Sequence, residues 1–227
     1  TALVEQQGDA LAAIMLTPFH HPAFEDSALP TPEFVTAVNQ LTQHYGILLI
    51  IDDVRCGFRL HPEGSHKLYG FEADLICFSK ALGNGYPISA CVGRKAIKIA
   101  ASKCFLTGSF WNAAVPMAAA LKTIEIAERD QIAIQLERRG TQLVKGMLEL
   151  GLRYGLPLQA SGPAAMPYVR VADDHSFRKQ QALCAAATQN GLYLHPHHNW
   201  FLCAAHTREV IDEGLQRFEQ ALQDLDF

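Results

Sequence analysis

Two neighbouring stretches, Leu48-Leu-Ile-Ile-Asp52 and Leu75-Ile-Cys-Phe-Ser-Lys80, are short apolar runs that each lead to an ionisable residue. Continuous apolar runs of this length, β-branched in the first case, are typical of parallel strands that are buried on both faces. In open α/β sheets, ligands bind beyond the carboxyl ends of such strands. We therefore expect Asp52 and Lys80 to lie at one site.

A carboxylate and an amine at one site suggest a particular cofactor. Pyridoxal 5'-phosphate (PLP) requires both groups, because a lysine amine forms the Schiff base and an acidic side chain pairs with the pyridinium nitrogen. The same pattern also has an ordinary structural interpretation, in which Asp52 begins a turn and the Lys80 ammonium extends into solvent. The strand pattern alone leaves both interpretations open.

The segments around these runs predict an α/β fold. The apolar residues 10–17 end at Pro18 and are predicted to form a strand. Thr31 and Pro32 then begin an amphipathic helix that ends at Gly46. A strand, a helix and a further strand in this order imply a right-handed crossover between parallel strands. We expect a mostly parallel sheet.

The rest of the chain predicts long helices and a second, smaller domain. Helices are expected over residues 113–127 and 131–150, and again over residues 174–189 and 207–225. Strands are expected over residues 166–171 and 191–194. We therefore predict that residues 1–153 belong to a large domain and that residues 154–227 form a small α+β carboxyl-terminal domain.

Composition narrows the class of protein. The 227 residues are 49% apolar and 19% charged, with a net charge of −4, which is typical of a globular protein and argues against nucleic-acid binding. No stretch reaches the ~18 apolar residues of a membrane span. The six cysteines include no Cys-x-x-Cys pair, so we expect reduced, buried thiols in a cytoplasmic protein: Cys56, Cys77, Cys91, Cys104, Cys184 and Cys203.

Two longer motifs carry a family resemblance. Residues 51–59, Ile-Asp-Asp-Val-Arg-Cys-Gly-Phe-Arg, resemble the Phe-Asp-Glu-Val-x-x-Gly-Phe-Arg signature of class III PLP-dependent aminotransferases. Residues 79–93, from Ser79-Lys80 through Gly85-Tyr-Pro87 to Gly93, resemble the Schiff-base segment of the same family. Within that family, these segments resemble the glutamate-1-semialdehyde 2,1-aminomutase-like branch, and the resemblance covers the second half of family members.

The resemblance implies a fold, a reaction and a set of roles. The fold is that of the fold-type I PLP-dependent transferases, and the reaction is transfer of an amino group from an amino donor to a keto or aldehyde acceptor, or an aminomutase version of it. Lys80 is implied to form the Schiff base, Asp52 to pair with the pyridinium nitrogen and Val54 to pack on the ring. Ser109, in a segment that resembles the family's Gly-Thr-Phe/Leu segment, is implied to reach the cofactor phosphate of the partner subunit in a homodimer. An ordinary helix cap is the alternative for Ser109.

The histidine-rich residues 195–198 invite a metal interpretation, which we do not favour. No cysteine or carboxylate lies beside them, and they lack a helical i, i+4 pair. Residues 195–207 instead resemble a segment of the aminomutase-like branch, which implies a place on the substrate side of the cleft.

Two other functions stay open at this stage. One is a catalytically incomplete or inactive structural or regulatory relative of the same fold, because no loop upstream of Asp52 is recognisable as a phosphate cradle. The other is different PLP chemistry on the same scaffold, such as decarboxylation or racemisation.

Overall fold

A computed structural model describes residues 2–225, which divide into two compact units. The first unit comprises the chain up to Pro18 together with Pro30–Ala133, and the second comprises Phe19–Leu29 together with the chain from Ile134 onward. The first unit contains, in chain order, α1 (Ala2–Gln7), β1 (Ala13–Leu16), α2 (Pro32–Tyr45), β2 (Leu48–Asp52), α3 (Ser65–Tyr69), β3 (Leu75–Phe78), β4 (Ala90–Gly93), α4 (Lys98–Ala101) and α5 (Ala114–Arg129). The second contains nearly all of α6 (Ile132–Arg153), followed by β5 (Leu158–Ser161), β6 (Tyr168–Val171), α7 (Arg178–Gln189) and α8 (Arg208–Gln223).

The four strands of the first unit form one sheet in the order β1-β2-β3-β4. The first three strands are parallel and β4 is antiparallel to β3, so the prediction of a mostly parallel sheet is confirmed. Leu49 and Ile51 of β2 are fully buried and pack with Val35 of α2 and with Phe71. This packing covers one face of the sheet, while the alternate residues of β2, which include Asp52, belong to the other face.

Local sequence signals account for the helix between β1 and β2. The Thr31 hydroxyl accepts a hydrogen bond from the Phe34 amide at 3.2 Å, and Pro32 occupies the first turn, where it sacrifices no helical hydrogen bond. Gly46 ends the helix with φ of +64°, a left-handed conformation that glycine adopts without a steric cost. The predicted capped helix is therefore confirmed at both ends.

The second unit has a core of its own. Its two antiparallel strands, β5 and β6, pack with three helices around Met147, Ala187, Phe218 and Ala221, each no more than 1% exposed. The predicted strand at residues 191–194 is wrong. The Leu192 amide donates to the Ala187 carbonyl at 2.8 Å, so the backbone there completes the end of α7 rather than pairing with a strand. The sequence analysis also missed β5.

Three of the six cysteines differ from the sequence expectation. Cys56 and Cys184 are buried, and burial raises the pKa of each thiol to about 12. Cys91, Cys104 and Cys203 are exposed, so the prediction that the cysteines are buried is wrong for these three. All six are free thiols. Among the described residues, no helix is both long enough and apolar enough to span a membrane.

The position of α6 bears on the domain organisation. This helix lies with the second unit from its third residue onward, whereas the predicted boundary after residue 153 assigns it to the large domain. The division into domains at residues 153 and 154 stays a prediction about how the protein is organised.

Candidate functional site

Asp52 and Lys80 follow adjacent parallel strands at the same edge of the sheet. Asp52 is the last residue of β2 and stands in register with Cys77 of β3. Lys80 comes three positions after Cys77, just beyond the end of β3. The Asp53 amide donates to the Cys77 carbonyl at 2.9 Å and extends the ladder by one residue. The structure thus brings the predicted carboxylate and amine to one edge, at the carboxyl ends of both strands.

The Lys80 backbone has an unusual conformation. Its φ is +40°, in the left-handed region that residues other than glycine rarely occupy. The adjacent Ser79 hydroxyl donates to the Ile88 carbonyl at 2.9 Å, which anchors the turn. The Lys80 side chain is exposed, and within residues 2–225 its ammonium forms no hydrogen bond or ion pair. Backbone strain of this kind costs about 1–3 kcal/mol at each residue and clusters at active sites and ligand clamps.

Asp52 and Val54 form a local turn at the end of β2. The Val54 amide donates to Asp52 Oδ1 at 3.1 Å, and both residues are half-buried. In the described part of the chain, Asp52 Oδ2 has no hydrogen-bond partner. One oxygen is therefore held by the backbone while the other is available to a ligand.

Asp53 has a different environment from its neighbour. Its side chain is fully buried, and its two oxygens accept hydrogen bonds from the Ser65 amide at 2.8 Å and the Ser65 hydroxyl at 2.5 Å. Burial raises the pKa of the Asp53 carboxyl, and the hydrogen bonds from Ser65 partly oppose that rise. Asp53 therefore holds the loop after β2 to the start of α3.

Ser109 lies in an exposed turn before α5. The Trp111 amide donates to the Gly108 carbonyl at 3.2 Å to close this turn. Ser109 does not cap α5, because the residue at the cap position is Ala113. Nor does its hydroxyl form a hydrogen bond with Asp52 or Lys80 in the described chain. The structure thus excludes the ordinary helix cap and leaves the hydroxyl exposed.

The histidine-rich segment belongs to the second unit and contacts an aromatic group that the sequence analysis missed. The His197 ring stacks on Phe24 with centroids 4.4 Å apart, and the Phe24 amide donates to the His197 carbonyl at 2.9 Å. Phe177 meets both rings edge to face. Phe24 has a left-handed backbone, with φ of +67°, and it lies far from His197 in the sequence. No periodic pattern of residues predicts either feature, so only the tertiary structure reveals the contact between the two rings. Among residues 2–225, no cluster of three or more histidine, cysteine, aspartate or glutamate side chains is arranged to hold a metal ion.

A cavity of about 530 Å³ lies beside the same segment, within the second unit. Its lining is mainly apolar and comes from α6, from α8 and from residues 192–202, including Leu143, Trp200, Leu202 and Ile211.

Comparison with known proteins places the chain in a family. The family profile described as aminotransferase class-III matches residues 1–222. Among curated proteins, the chain is 43% identical to the aminopentol aminotransferase of Sphingopyxis macrogoltabida, over 97% of this chain and 52% of that protein. It is 31% identical to the glutamate-1-semialdehyde 2,1-aminomutase of Chloroflexus aggregans, over 98% of this chain and 55% of that protein. The chain thus spans about half the length of the curated relatives it matches.

Solved structures agree with the fold. The FumI protein of Sphingopyxis sp. MTA144, solved in its PLP internal aldimine form, superimposes with a TM-score of 0.94 at 41% identity, over 98% of this chain and 54% of that one. An omega-transaminase from Sphaerobacter thermophilus shares the fold alone, with a TM-score of 0.82 at 24% identity over 98% of this chain and 54% of that one. The predicted fold of the PLP-dependent transferases is confirmed. The chain belongs to the class III aminotransferase family.

Proposed function

We propose that this chain carries the lysine and carboxylate of a PLP-dependent site for amino-group transfer. The observation that supports the proposal is the position of Asp52 and Lys80 at the carboxyl ends of two adjacent parallel strands. The names of the relatives point to the same reaction, since they include both aminotransferases and aminomutases. The substrates we propose are an amino donor and a keto or aldehyde acceptor.

The available polar groups fit the cofactor. Lys80 has an amine without a hydrogen-bond partner in residues 2–225, and Asp52 has one carboxylate oxygen in the same condition. Val54 is half-buried two residues after Asp52, in the turn that follows β2, and its apolar side chain is of a kind that packs against a flat ring. When bound, PLP supplies an electron sink for the pair of electrons left on the substrate carbon after deprotonation.

The protein groups then have distinct tasks. Asp52 would keep a proton on the pyridine nitrogen, because a carboxylate beside that atom stabilises its positive charge. Lys80 would hold the cofactor through Nζ and, once an amine substrate has displaced it, carry a proton between two carbon atoms as a general base and acid. Val54 would fix the plane of the ring.

We extend the proposal to a homodimer in which Ser109 binds the cofactor phosphate of the partner subunit. Ser109 lies in an exposed stretch of the first unit that also contains exposed apolar residues, with Phe105 90% and Phe110 86% exposed. Exposed apolar surface of this kind marks an interaction site. All six cysteines are free thiols, which supports a cytoplasmic location as a further part of the proposal. Sedimentation at micromolar concentration tests the dimer, and a monomer would contradict it.

Labelling of the lysine tests the proposed site directly. The purified protein is mixed with PLP, reduced with borohydride and digested, and the modified lysine is identified by mass spectrometry. We expect label at Lys80, loss of that label in Lys80→Ala and retention in Lys103→Ala, which alters an exposed lysine outside the site. Label scattered over surface lysines, or undiminished in Lys80→Ala, would refute the proposal and favour a catalytically inactive relative.

A further inference from the structure

Cys77 and Cys91 face each other across two antiparallel strands. They are register partners in the β3–β4 pair, so both side chains project from the same face of the sheet. Register partners in an antiparallel pair alternate between those that exchange backbone hydrogen bonds and those that do not. The Arg94 amide donates to the Asp74 carbonyl at 3.0 Å, which marks that pair as the bonded kind. Cys77 and Cys91 lie three steps further along the ladder and are therefore a non-bonded pair.

That position brings the two sulfur atoms close together. Directly opposite residues of the non-bonded kind have Cα atoms about 4.5 Å apart and side chains closer than in the bonded kind. A disulfide requires Cα atoms about 4.4 to 6.8 Å apart, so this spacing lies at the short end of the permitted range. The pKa of the Cys77 thiol is raised, chiefly by burial and also by its electrostatic interaction with Cys91. The register thus places the two thiols side by side on one face of the sheet.

Solvent access distinguishes this pair from the two buried cysteines. Cys91 is exposed and Cys77 is half-buried, whereas Cys56 and Cys184 are buried. An oxidant in solution can therefore reach Cys91, and Cys77 is positioned to react next.

We propose that Cys77 and Cys91 form a reversible intrachain disulfide when the protein meets a hydroperoxide. In the first step, Cys91 attacks the peroxide, is oxidised to a sulfenic acid and releases one water from hydrogen peroxide. In the second step, Cys77 attacks the sulfenic sulfur, the S–O bond breaks, a second water leaves and the disulfide forms. Two thiols thus lose two electrons and two protons, and one peroxide is reduced to two waters.

The location gives this modification a consequence for the sheet edge. Cys77 is the register partner of Asp52 on its other side, so oxidation changes the group beside that carboxylate. A disulfide across directly opposite strand residues has short Cα spacing, and strained or exposed disulfides are readily reduced. We therefore expect a thiol reductant to restore both cysteines. The inference goes beyond the proposed amino-group transfer and does not depend on the cofactor.

Peptide mapping tests the disulfide without any activity measurement. The full chain is reduced, freed of reductant, treated with limiting hydrogen peroxide and then blocked with N-ethylmaleimide. Trypsin cuts after Lys67, Lys80 and Arg94, so Cys77 and Cys91 fall in separate peptides that hold one cysteine each. We expect these two peptides to appear joined, lighter by two hydrogen masses than their sum, and to separate after treatment with dithiothreitol.

Variants identify which sulfur reacts first. Cys77→Ser removes the second thiol, so Cys91 should accumulate as a sulfenic acid that dimedone traps. Cys104→Ser, which changes an exposed cysteine elsewhere in the first unit, should form the joined peptides as the unaltered chain does. Oxidation of Cys104 and Cys203 without any joined Cys77–Cys91 peptide would overturn the proposal, whether or not the variants fold.

Discussion

Replacement of two adjacent carboxylates by alanine should have opposite effects on stability and on cofactor binding. Asp53 is fully buried and accepts two hydrogen bonds from Ser65, whereas Asp52 is half-buried and accepts one from the Val54 amide. We expect Asp53→Ala to lower the free energy of unfolding markedly while Asp52→Ala leaves it nearly unchanged. Under the proposed function, Asp52→Ala weakens PLP binding instead.

The structure supplies the magnitudes. Asp53→Ala leaves the Ser65 amide and hydroxyl without their acceptor, and each unsatisfied buried group costs about 1–3 kcal/mol. Because the hydroxyl can rotate to a new partner, we expect a total loss of about 2–4 kcal/mol. Asp52→Ala removes one bond of 3.1 Å at a half-exposed position, which should cost about 0.5–1 kcal/mol.

Asp53→Asn is the matched control for this comparison. Its amide oxygen can accept from the Ser65 amide and its amide nitrogen can donate to the Ser65 hydroxyl, so the loss should stay within about 1 kcal/mol. Urea unfolding followed by circular dichroism measures the stability of each variant, and absorbance titration with PLP measures binding. If Asp52→Ala destabilised the chain as much as Asp53→Ala, the separation of roles would be refuted.

Two further predictions concern the second unit. A Cβ added to Gly140 would lie 1.8 Å from the backbone carbonyl oxygen of Ala164, whereas the atoms nearest to one added to Gly146 of the same helix belong to the Leu215 side chain, at 2.6 Å. Because a backbone carbonyl cannot rotate away from the new methyl group, Gly140→Ala should lower the free energy of unfolding by about 2 kcal/mol, even after a gain of about 1 kcal/mol in helix propensity. Gly146→Ala should lower it less in the same urea assay. An equally stable Gly140→Ala would contradict that close contact. The hydrogen bond from Arg170 holds the pKa of the Asp26 carboxyl below its ordinary value of 3.8. The Arg170–Asp26 pair therefore stabilises the folded chain above pH 3.8, and this stabilisation is lost as the pH falls through the lowered pKa. Asp26→Asn should cost about 1 kcal/mol near neutral pH and flatten the acid limb of stability against pH, and an unchanged acid limb would show that the pair contributes nothing there.

Much of the local structure was predictable because its causes are local. The helix that Thr31 begins and Gly46 ends was predicted from a cap, a proline and a glycine that act within one turn of the chain. The strand that ends at Asp52 was predicted from an unbroken apolar run. By contrast, the predicted strand at residues 191–194 was wrong because its apolar side chains pack in a core without strand pairing, and an apolar run does not distinguish the two.

The amino-acid sequence by itself determined that parallel strands would lead to Asp52 and Lys80, and its motifs indicated the family to which the chain belongs. Only the tertiary structure decided which groups meet across long separations. Arg170 pairs with Asp26 from 144 positions away, and Cys91 meets Cys77 because β4 returns antiparallel to β3. Such contacts depend on strand register and on the packing of whole elements. A pattern of neighbouring residues therefore carries no signal for them.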